Sequence, residues 1–463
     1  MAKRPPPQNS KAARDAHRLS KARQGAYKGR KVSARSAMGR ERDLASRDST
    51  PVWLTVVLDA FARQRATNDP IDRILSQLGK RHRLGTKERK LAGDAAFSFV
   101  RNRKSIEKAI DDGIQAVGGV VPASRDRDLA GLLLALAHAG HDRPFAPALP
   151  VSLEQTVAHA FADRTAVRPT LPKWVDKRLR TLCTDNADYD AFMDALFSRA
   201  PFCVAFDQRH VDEGGLQKAF DDLGKASAPS ALVPHVLRLE ERLPLTKLAD
   251  GLRPHVWPMD DGSRLVAASL GNVDGQDVLD LCGGGGGKSK VLALHGADLV
   301  CADRDARRLA NAKKRLPKGT PCVQLDGTNP PFASGAFDAV LVDAPCSGTG
   351  TLRRTPDLLE RLDEKKVKAY AKLQRDLLAA AADLVKPGGR LIYATCSLLP
   401  DENTAVTADA PPSLRPLPLK QAWAHLPGSA DRDALVDDDQ HQVTLLPHTA
   451  KSDGFFIAAF TKV

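Results

Sequence analysis

No stretch of this 463-residue chain reaches about 18 consecutive apolar residues, the length a membrane-spanning helix needs. The start carries no apolar signal-peptide core either. The seven cysteines, at 183, 203, 282, 301, 322, 346 and 396, form no C-x-x-C pair and no zinc-ligand spacing, so no metal site is expected. An odd count, with several cysteines on expected strands, suits a reducing compartment, and a cytoplasmic location is expected. Residues 1–50 lack any apolar period. They hold 14 Lys and Arg against 4 Asp and Glu, a balance of +10 within a whole-chain charge of +13. With Pro5-Pro6-Pro7 among them, they read as a disordered basic tail. Such a tail meets nucleic-acid phosphates without reading sequence. A solubilising tail or an organellar transit peptide has the same composition.

What is present is ordinary in bulk: 42% apolar and 27% charged residues. The length exceeds one common core, so two or three domains are expected. Residues 51 to about 145 read as helices. Val52, Leu54, Val56, Val57, Leu58, Ala60 and Phe61 open them. Ile71, Ile74, Leu75 and Leu78 follow at helical spacing, then Leu91, Ala95, Phe97, Val100 and Ile106. Leu132 to Ala137 is another buried helix candidate, and a proline-rich connection runs from His141 to Pro150. From Gln276 onward strands and helices alternate, with strands expected at 277–281, 298–302, 320–325, 337–342 and 390–395. A helix is expected over Lys365 to Val385, stopped by Pro387-Gly388-Gly389. The fold class is α/β, a parallel sheet with helices on both faces.

Three features at the ends of these strands carry chemistry. Val278-Leu279-Asp280-Leu281-Cys282 runs into five glycines, Gly283 to Gly287, and then Lys288-Ser289. A strand, a glycine loop and a helix start let bare backbone approach a nucleotide closely. A phosphate-binding P-loop fails here because Cys282 stands where its first glycine belongs. A dinucleotide fingerprint starting at Gly283 fails because its last glycine falls on Lys288. Asp303 and Asp326 end the next two strands, where a carboxylate meets ribose or base. Asp305 is placed to cap the helix through Arg308 and Leu309.

The other two features are cysteines. Cys346 stands in Asp343-Ala344-Pro345-Cys346-Ser347-Gly348-Thr349-Gly350, and Cys396 in Tyr393-Ala394-Thr395-Cys396-Ser397. A single unpaired cysteine there would read as a small core residue. Two at neighbouring strand ends, one beside an aspartate, point to covalent catalysis with two thiols in different roles.

These motifs resemble the Sun (NSUN-type) family of RNA cytosine-5 methyltransferases, and within it the small-subunit ribosomal RNA branch. The likeness runs from about Pro51 to the C-terminus. It is strongest over Val278–Asn403 and from Leu445-Leu446-Pro447-His448 to Asp453-Gly454-Phe455-Phe456-Ile457-Ala458. It implies an S-adenosyl-L-methionine-dependent, Rossmann-like methyltransferase domain over 256–463. A small α+β subdomain over 166–255 precedes that domain, and a NusB-like helical RNA-binding domain lies over 51–165. The family loop reads Asp-x-Cys-Ala-Ala-Pro-Gly-Gly-Lys-Thr. Asp280, Cys282, Gly286, Gly287 and Lys288 match it, Ser289 replaces Thr, and Gly283 to Gly285 replace Ala-Ala-Pro. Loss of that proline frees the unbound loop by roughly 1 kcal/mol, so weaker cofactor binding is expected. The family's Arg-x-Asn strand is replaced by Ala205-Phe206-Asp207-Gln208-Arg209. Of its Gln-Asp-x-Ala-Ser motif only Asp260 and Ser263 remain.

The resemblance also assigns roles. Cofactor contacts fall on Cys282, Gly283, Gly284, Gly285, Gly286, Gly287, Lys288, Asp303, Asp326 and Asp343. Cys396 is the nucleophile toward carbon 6 of cytosine. Asp343 binds the ring at nitrogen 3 and the exocyclic amine, which requires it to carry or share a proton. Cys346 assists release of the product. Arg353 and Arg354 are expected to meet RNA phosphates or to lie on a solvated face. Ribosomal RNA is the expected partner, to a monomeric enzyme. A transfer RNA substrate, or a non-catalytic assembly protein on the same fold, remains open.

Overall fold

The computed structural model describes residues 51–117, 123–138 and 169–463. The basic tail, the proline-rich connection at 141–150 and the boundary near 165 lie outside the described residues. No described helix is long and apolar enough to cross a membrane.

Helices α1 (Val52–Thr67), α2 (Ile71–Arg81), α3 (Thr86–Val117) and α4 (Ser124–His138) pack around one apolar core. Pro51 and Pro70 stand just before the first two and cannot continue a helix backwards. Asn68, in the left-handed region at φ 57°, ends α1. On α3 the buried face is Ala92, Ala95, Ala96, Phe99, Ile106 and Ile110, whereas Leu91 and Phe97 are only half-buried. Small alanines let α3 approach its neighbours closely, which apolar spacing alone does not reveal.

After α5 (Lys173–Arg180) and α6 (Asn186–Phe197) comes a small antiparallel sheet of order β2-β3-β1-β4. Its strands are β1 (Phe202–Phe206), β2 (Ser227–Pro229), β3 (Val236–Leu239) and β4 (Val256–Pro258), with α7 (Glu213–Asp221) crossing between β1 and β2. Successive residues of β1 face opposite ways. Val204 and Phe206 enter a local core, while Cys203 and Ala205 enter the core of the following domain. The strand β4 lies just beyond the boundary at 255 read from the sequence and completes this sheet.

The main sheet contains β5 (Asp277–Asp280), β6 (Asp298–Asp303), β7 (Cys322–Gln324), β8 (Phe337–Asp343), β9 (Val385–Thr395), β10 (Leu414–Pro416), β11 (Gln442–Leu445) and β12 (Phe455–Lys462). Its order is β10-β12-β9-β8-β5-β6-β7, with β11 also paired to β12. Strands β5 to β9 pair in parallel, while β12 runs antiparallel to β9. Both faces are covered, so strand residues alternate between two cores. Val278, Leu341 and Ile392 enter one, Leu279, Val340 and Leu391 the other. Helices α8 (Asp261–Ala268), α9 (Gly287–Leu294), α10 (Ala306–Arg315) and α11 (Glu364–Leu384) flank the sheet. The Pro387-Gly388-Gly389 stop lies inside β9, where it makes the register break between Phe337 and Ala339 of β8. From β5 the chain winds outward through β6 and β7, then returns to β8 on the other side of β5. This reversal opens a crevice at the carboxyl ends of β5 and β8.

Of the arginines expected at RNA phosphates, Arg353 is buried and Arg354 half-buried, and both are held by carboxylates. Arg353 is 4% exposed and pairs with Asp453, while Arg354 donates to Asp453 Oδ2 at 2.5 Å and Asp260 Oδ2 at 2.9 Å. Two carboxylates and two guanidiniums thus tie the start of α8 to the loop before β12. Their sequence neighbourhood is polar, so only the tertiary structure reveals the pairing.

Candidate active site

Loops leaving β5, β8 and β9 lie side by side because their strands are adjacent. Backbone bonds continue across them: Ala344 N–H donates to Ala394 O at 2.8 Å, and Gly350 N–H to Cys396 O at 2.9 Å. The sulfurs of Cys346 and Cys396 are 3.3 Å apart, in hydrogen-bond contact. That contact, burial, and the charges of Cys396 and Glu402 hold the Cys346 thiol well above the usual range. Cys346 thus keeps its proton, which it is placed to donate to Cys396. Lys288, at the start of α9, is buried and donates to Asp343 Oδ2 at 2.7 Å. Burial opposes its charge, but Asp343, with help from Cys396 and Asp280, raises its pKa. Its Nζ stands 5.3 Å from the centre of the Phe455 ring. Sequence positions 288, 343, 346 and 396 are brought to one place.

The glycine loop is pinned from several sides. Gly283 N–H donates to Ala302 O at 2.8 Å, Gly286 N–H to Gly283 O at 2.9 Å, and Gly284 N–H to Asp303 Oδ2 at 2.9 Å. On α10, Arg308, Ala312 and Arg315 follow at helical spacing and share one face. They lie against Gly284, Gly286 and Gly285, and Arg315 donates to Gly285 O at 3.1 Å. A Cβ at Gly286, whose φ is 76°, would fall 2.9 Å from Ala312 Cβ. The glycines therefore answer both the backbone conformation and the close approach of α10.

This arrangement fits a nucleoside-bearing cofactor. No neighbouring atom lies within 4 Å of a Cβ built on Gly287, so the start of α9 is open. Asp303, at the end of β6, accepts from Gly284 N–H and Asp305 N–H, and Arg308 lies 3.5 Å from it. Asp326, just past β7, is exposed and accepts from Thr328 N–H and its hydroxyl at 3.0 and 2.8 Å. Asp280 is fully buried and accepts from Ser289 Oγ at 2.6 Å, while its second oxygen has no partner. Burial pushes its carboxyl up to about 7, against the opposing hydrogen bond from Ser289. Asp305 caps α10, accepting from Arg307 and Arg308 N–H, as its position in the sequence implies.

The comparisons agree with this geometry. A family model described as 16S rRNA methyltransferase RsmB/F matches residues 267–461. A Salmonella arizonae protein named Ribosomal RNA small subunit methyltransferase B is 32% identical over 294 residues, covering 60% of this chain and 68% of that protein. The chain belongs to the RsmB/F family. A protein of the same name from Salmonella paratyphi C is 32% identical over 316 residues, 67% of this chain and 70% of the relative. Among solved structures, the crystal structure of PH0851 shares the fold at TM-score 0.69 and 21% identity, covering 89% of this chain and 99% of that one. NSun6 from Pyrococcus horikoshii, solved with SFG, matches at TM-score 0.51 and 17% identity, over 63% of this chain and 98% of its own. The protein is an S-adenosyl-L-methionine-dependent methyltransferase of the Rossmann-like class.

Cys282 is set apart from the other two loop cysteines. It packs on the apolar layer beneath β5, and burial with the charges of Asp280, Asp343 and Asp303 pushes its thiol above the usual range. It is a poor nucleophile in that setting. Two groups able to gather a cation, Asp207 with His210 and His255, and Cys203 with Asp260 and Asp261, are already matched by Arg209 and by Arg238, Arg353 and Arg354. Two residues of the site were given no role from the sequence. Phe455 approaches Lys288 from β12, and Glu402 lies buried beneath both cysteine loops. The only hint of Glu402 is the acidic pair Asp401-Glu402 after the apolar run Leu398-Leu399-Pro400.

Proposed function

We propose that this enzyme methylates carbon 5 of a cytosine in RNA, small-subunit ribosomal RNA in particular, with Cys396 as covalent nucleophile and Cys346 assisting release. The observation carrying this reading is the pair of sulfurs 3.3 Å apart beside an aspartate that Lys288 holds in place. A single nucleophile needs no second thiol in contact with it.

Carbon 5 of cytosine is a poor nucleophile. The Cys396 sulfur adds to carbon 6, and the electron pair of the 5,6 double bond moves toward carbon 5 and the ring nitrogen. Asp343 stands where it holds or donates a proton at nitrogen 3, limiting the negative charge that develops. When bound, S-adenosyl-L-methionine supplies the methyl group that carbon 5 takes. Gly283 to Gly287, with Asp303 and Asp326 at the following strand ends, would hold it. Lys288 joins that loop to Asp343, so cofactor side and base side share one ion pair. In the last stage the proton on carbon 5 passes to a base in the site. Its bonding pair rebuilds the double bond as the carbon–sulfur bond breaks back onto Cys396. Cys346, in contact with that sulfur, steadies its departure.

The base must leave its stack to reach these groups, which favours a loop or a partly assembled RNA. A cleft lined by Asn68, Ser347, Arg361, Lys366 and Tyr370 opens beside the Pro-Cys loop, where the helical bundle meets the catalytic sheet. Its cations and aromatic ring suit a polynucleotide. The relatives named Ribosomal RNA small subunit methyltransferase B support ribosomal RNA over transfer RNA. The test is transfer of labelled methyl groups to separate pools of small-subunit and transfer RNA, followed by nucleoside digestion. Label in 5-methylcytidine from the ribosomal pool is expected. Label in another nucleoside, or RNA binding with no label, overturns the assignment.

A further inference from the structure

Glu402 is fully buried, and its carboxylate is held by four donors, none of them charged. Ser347 N–H and Gln374 Nε2 donate to Oε1 at 2.8 and 3.2 Å. Ser397 Oγ donates to Oε2 at 2.5 Å, and the Ser347 hydroxyl binds the same oxygen. Ser347 follows Cys346 directly, and Ser397 follows Cys396. One carboxylate therefore grips the residue next to each thiol, and the two serine hydroxyls are themselves 3.1 Å apart. Gln374 also donates to Pro345 O at 2.8 Å, fixing the residue before Cys346. Glu402 is anchored in turn: its carbonyl accepts from Tyr393 Oη at 2.6 Å.

A buried carboxylate without a cation partner is costly. Four charge-assisted hydrogen bonds offset that cost only while both loops stay in place. Neither loop has another side chain reaching both serines and the peptide N–H after Cys346. We propose that Glu402 is a positioning residue that clamps the Pro-Cys and Thr-Cys loops together and so sets the contact between Cys346 and Cys396. The effect on the reaction rests on the two-thiol reading above, whereas the clamp is a property of the protein alone. Glu402 does not touch the base: it is buried beneath the loops. Its charge also adds to the Cys396 contact and the burial that keep Cys346 in the thiol form.

Glu402→Gln is the cleanest change. Its amide oxygen keeps an acceptor for Ser347 N–H and Gln374, but its NH2 cannot accept from the two serine hydroxyls, so the volume stays filled while the charge and the grip on both serines are gone. Two rates are measured, each per S-adenosylhomocysteine-binding site so that unfolded protein is not counted. The first is kcat for RNA methylation. The second, without RNA, is closure of the Cys346–Cys396 disulfide by diamide. There two thiols lose two protons and two electrons, the azo group is reduced to the hydrazine, and intact mass reports the product. In E402Q both rates are expected to fall, kcat by about 100-fold as for a misplaced reacting group. KM for RNA and affinity for S-adenosylhomocysteine should stay within about twofold. An unchanged disulfide rate overturns the clamp whatever the activity does. If even the native protein makes no 5-methylcytidine, the functional reading fails while the disulfide rate still decides the clamp. Should E402Q lose S-adenosylhomocysteine binding altogether, Ser397→Ala, which removes one donor and keeps the carboxylate, is expected to slow both rates. Unchanged rates there overturn the inference.

Discussion

At the scale of single residues, the site divides its ionisable groups by environment. Cys346, Cys282 and Cys301 are all pushed upward, and Lys288 keeps its charge through Asp343. Asp280 is the most consequential for stability. Burial raises its carboxyl to about 7, so the folded chain binds a proton that the unfolded chain has lost. Stability contributed by this group is greatest below pH 4, falls as the pH rises toward 7, and is flat beyond. Replacing Asp280 by Asn keeps an acceptor for Ser289 and removes the titration. Relative to Asp280→Asn, the native protein should lose on the order of 3 kcal/mol between pH 4.5 and 8. Urea unfolding of both proteins at the two pH values measures the difference. A constant difference would mean that Asp280 ionises freely in the fold.

At the scale of elements, the loop between β5 and α9 shows why a motif departure need not be decay. The resemblance implied weaker cofactor binding because Ala-Ala-Pro is replaced by glycines. The structure supplies what the sequence comparison could not: Cys301 and Ser289 crowd a Cβ at Gly283, and Arg308 of α10 crowds one at Gly284. Gly285 has no positive φ, and the nearest neighbour to a Cβ there is the mobile end of Arg315 at 3.3 Å. Gly285→Pro should therefore restore the stiffness of the family loop and tighten S-adenosylhomocysteine binding about fivefold by calorimetry. Gly286→Ala should do the opposite, since its left-handed backbone and contact with Ala312 are both fixed. Weaker binding in Gly285→Pro would show that the glycine loop must move to admit its ligand. Strands β5, β6 and β8 were legible because buried parallel strands are continuous apolar runs between glycine and acid signals. The extra length of β9 was not, because Pro387-Gly388-Gly389 reads as punctuation whether it ends a helix or makes a bulge.

At the scale of the molecule, contacts between distant segments escaped the sequence. Asp357, beside the Pro-Cys loop, accepts from Ile71 N–H and Gln64 Nε2 of the bundle at 3.2 and 3.4 Å. Arg101 donates to Arg353 O at 3.2 Å, and Arg103 pairs with Glu360 at 2.7 Å. The helical bundle is thus docked on the segment that follows Cys346. Asp357→Ala should raise KM for RNA while leaving S-adenosylhomocysteine binding unchanged. Equal loss of both would make the docking a general stability element. The pairing of buried Arg353 and half-buried Arg354 with Asp260 and Asp453 was not legible, because a polar run does not announce its partner. Asp453→Asn leaves a buried arginine short of its counter-ion and should destabilise the protein by about 3–5 kcal/mol. A melting temperature equal to that of the native protein would show the quartet to be dispensable. Positions 288, 343, 346 and 396, by contrast, were readable in advance. Lys288 follows the glycine run, Asp343 ends a strand with Cys346 three residues beyond it, Cys396 follows the next, and parallel order brings those ends together.

The most direct test of the two-thiol account uses the native protein, Cys346→Ala and Cys396→Ala with labelled S-adenosylmethionine and small-subunit ribosomal RNA on denaturing gels. The native protein should give methylated RNA and no lasting adduct, Cys346→Ala an RNA-linked protein band, and Cys396→Ala neither. An adduct that persists without Cys396, or none without Cys346 while the native protein methylates RNA, would contradict the roles assigned to the two sulfurs.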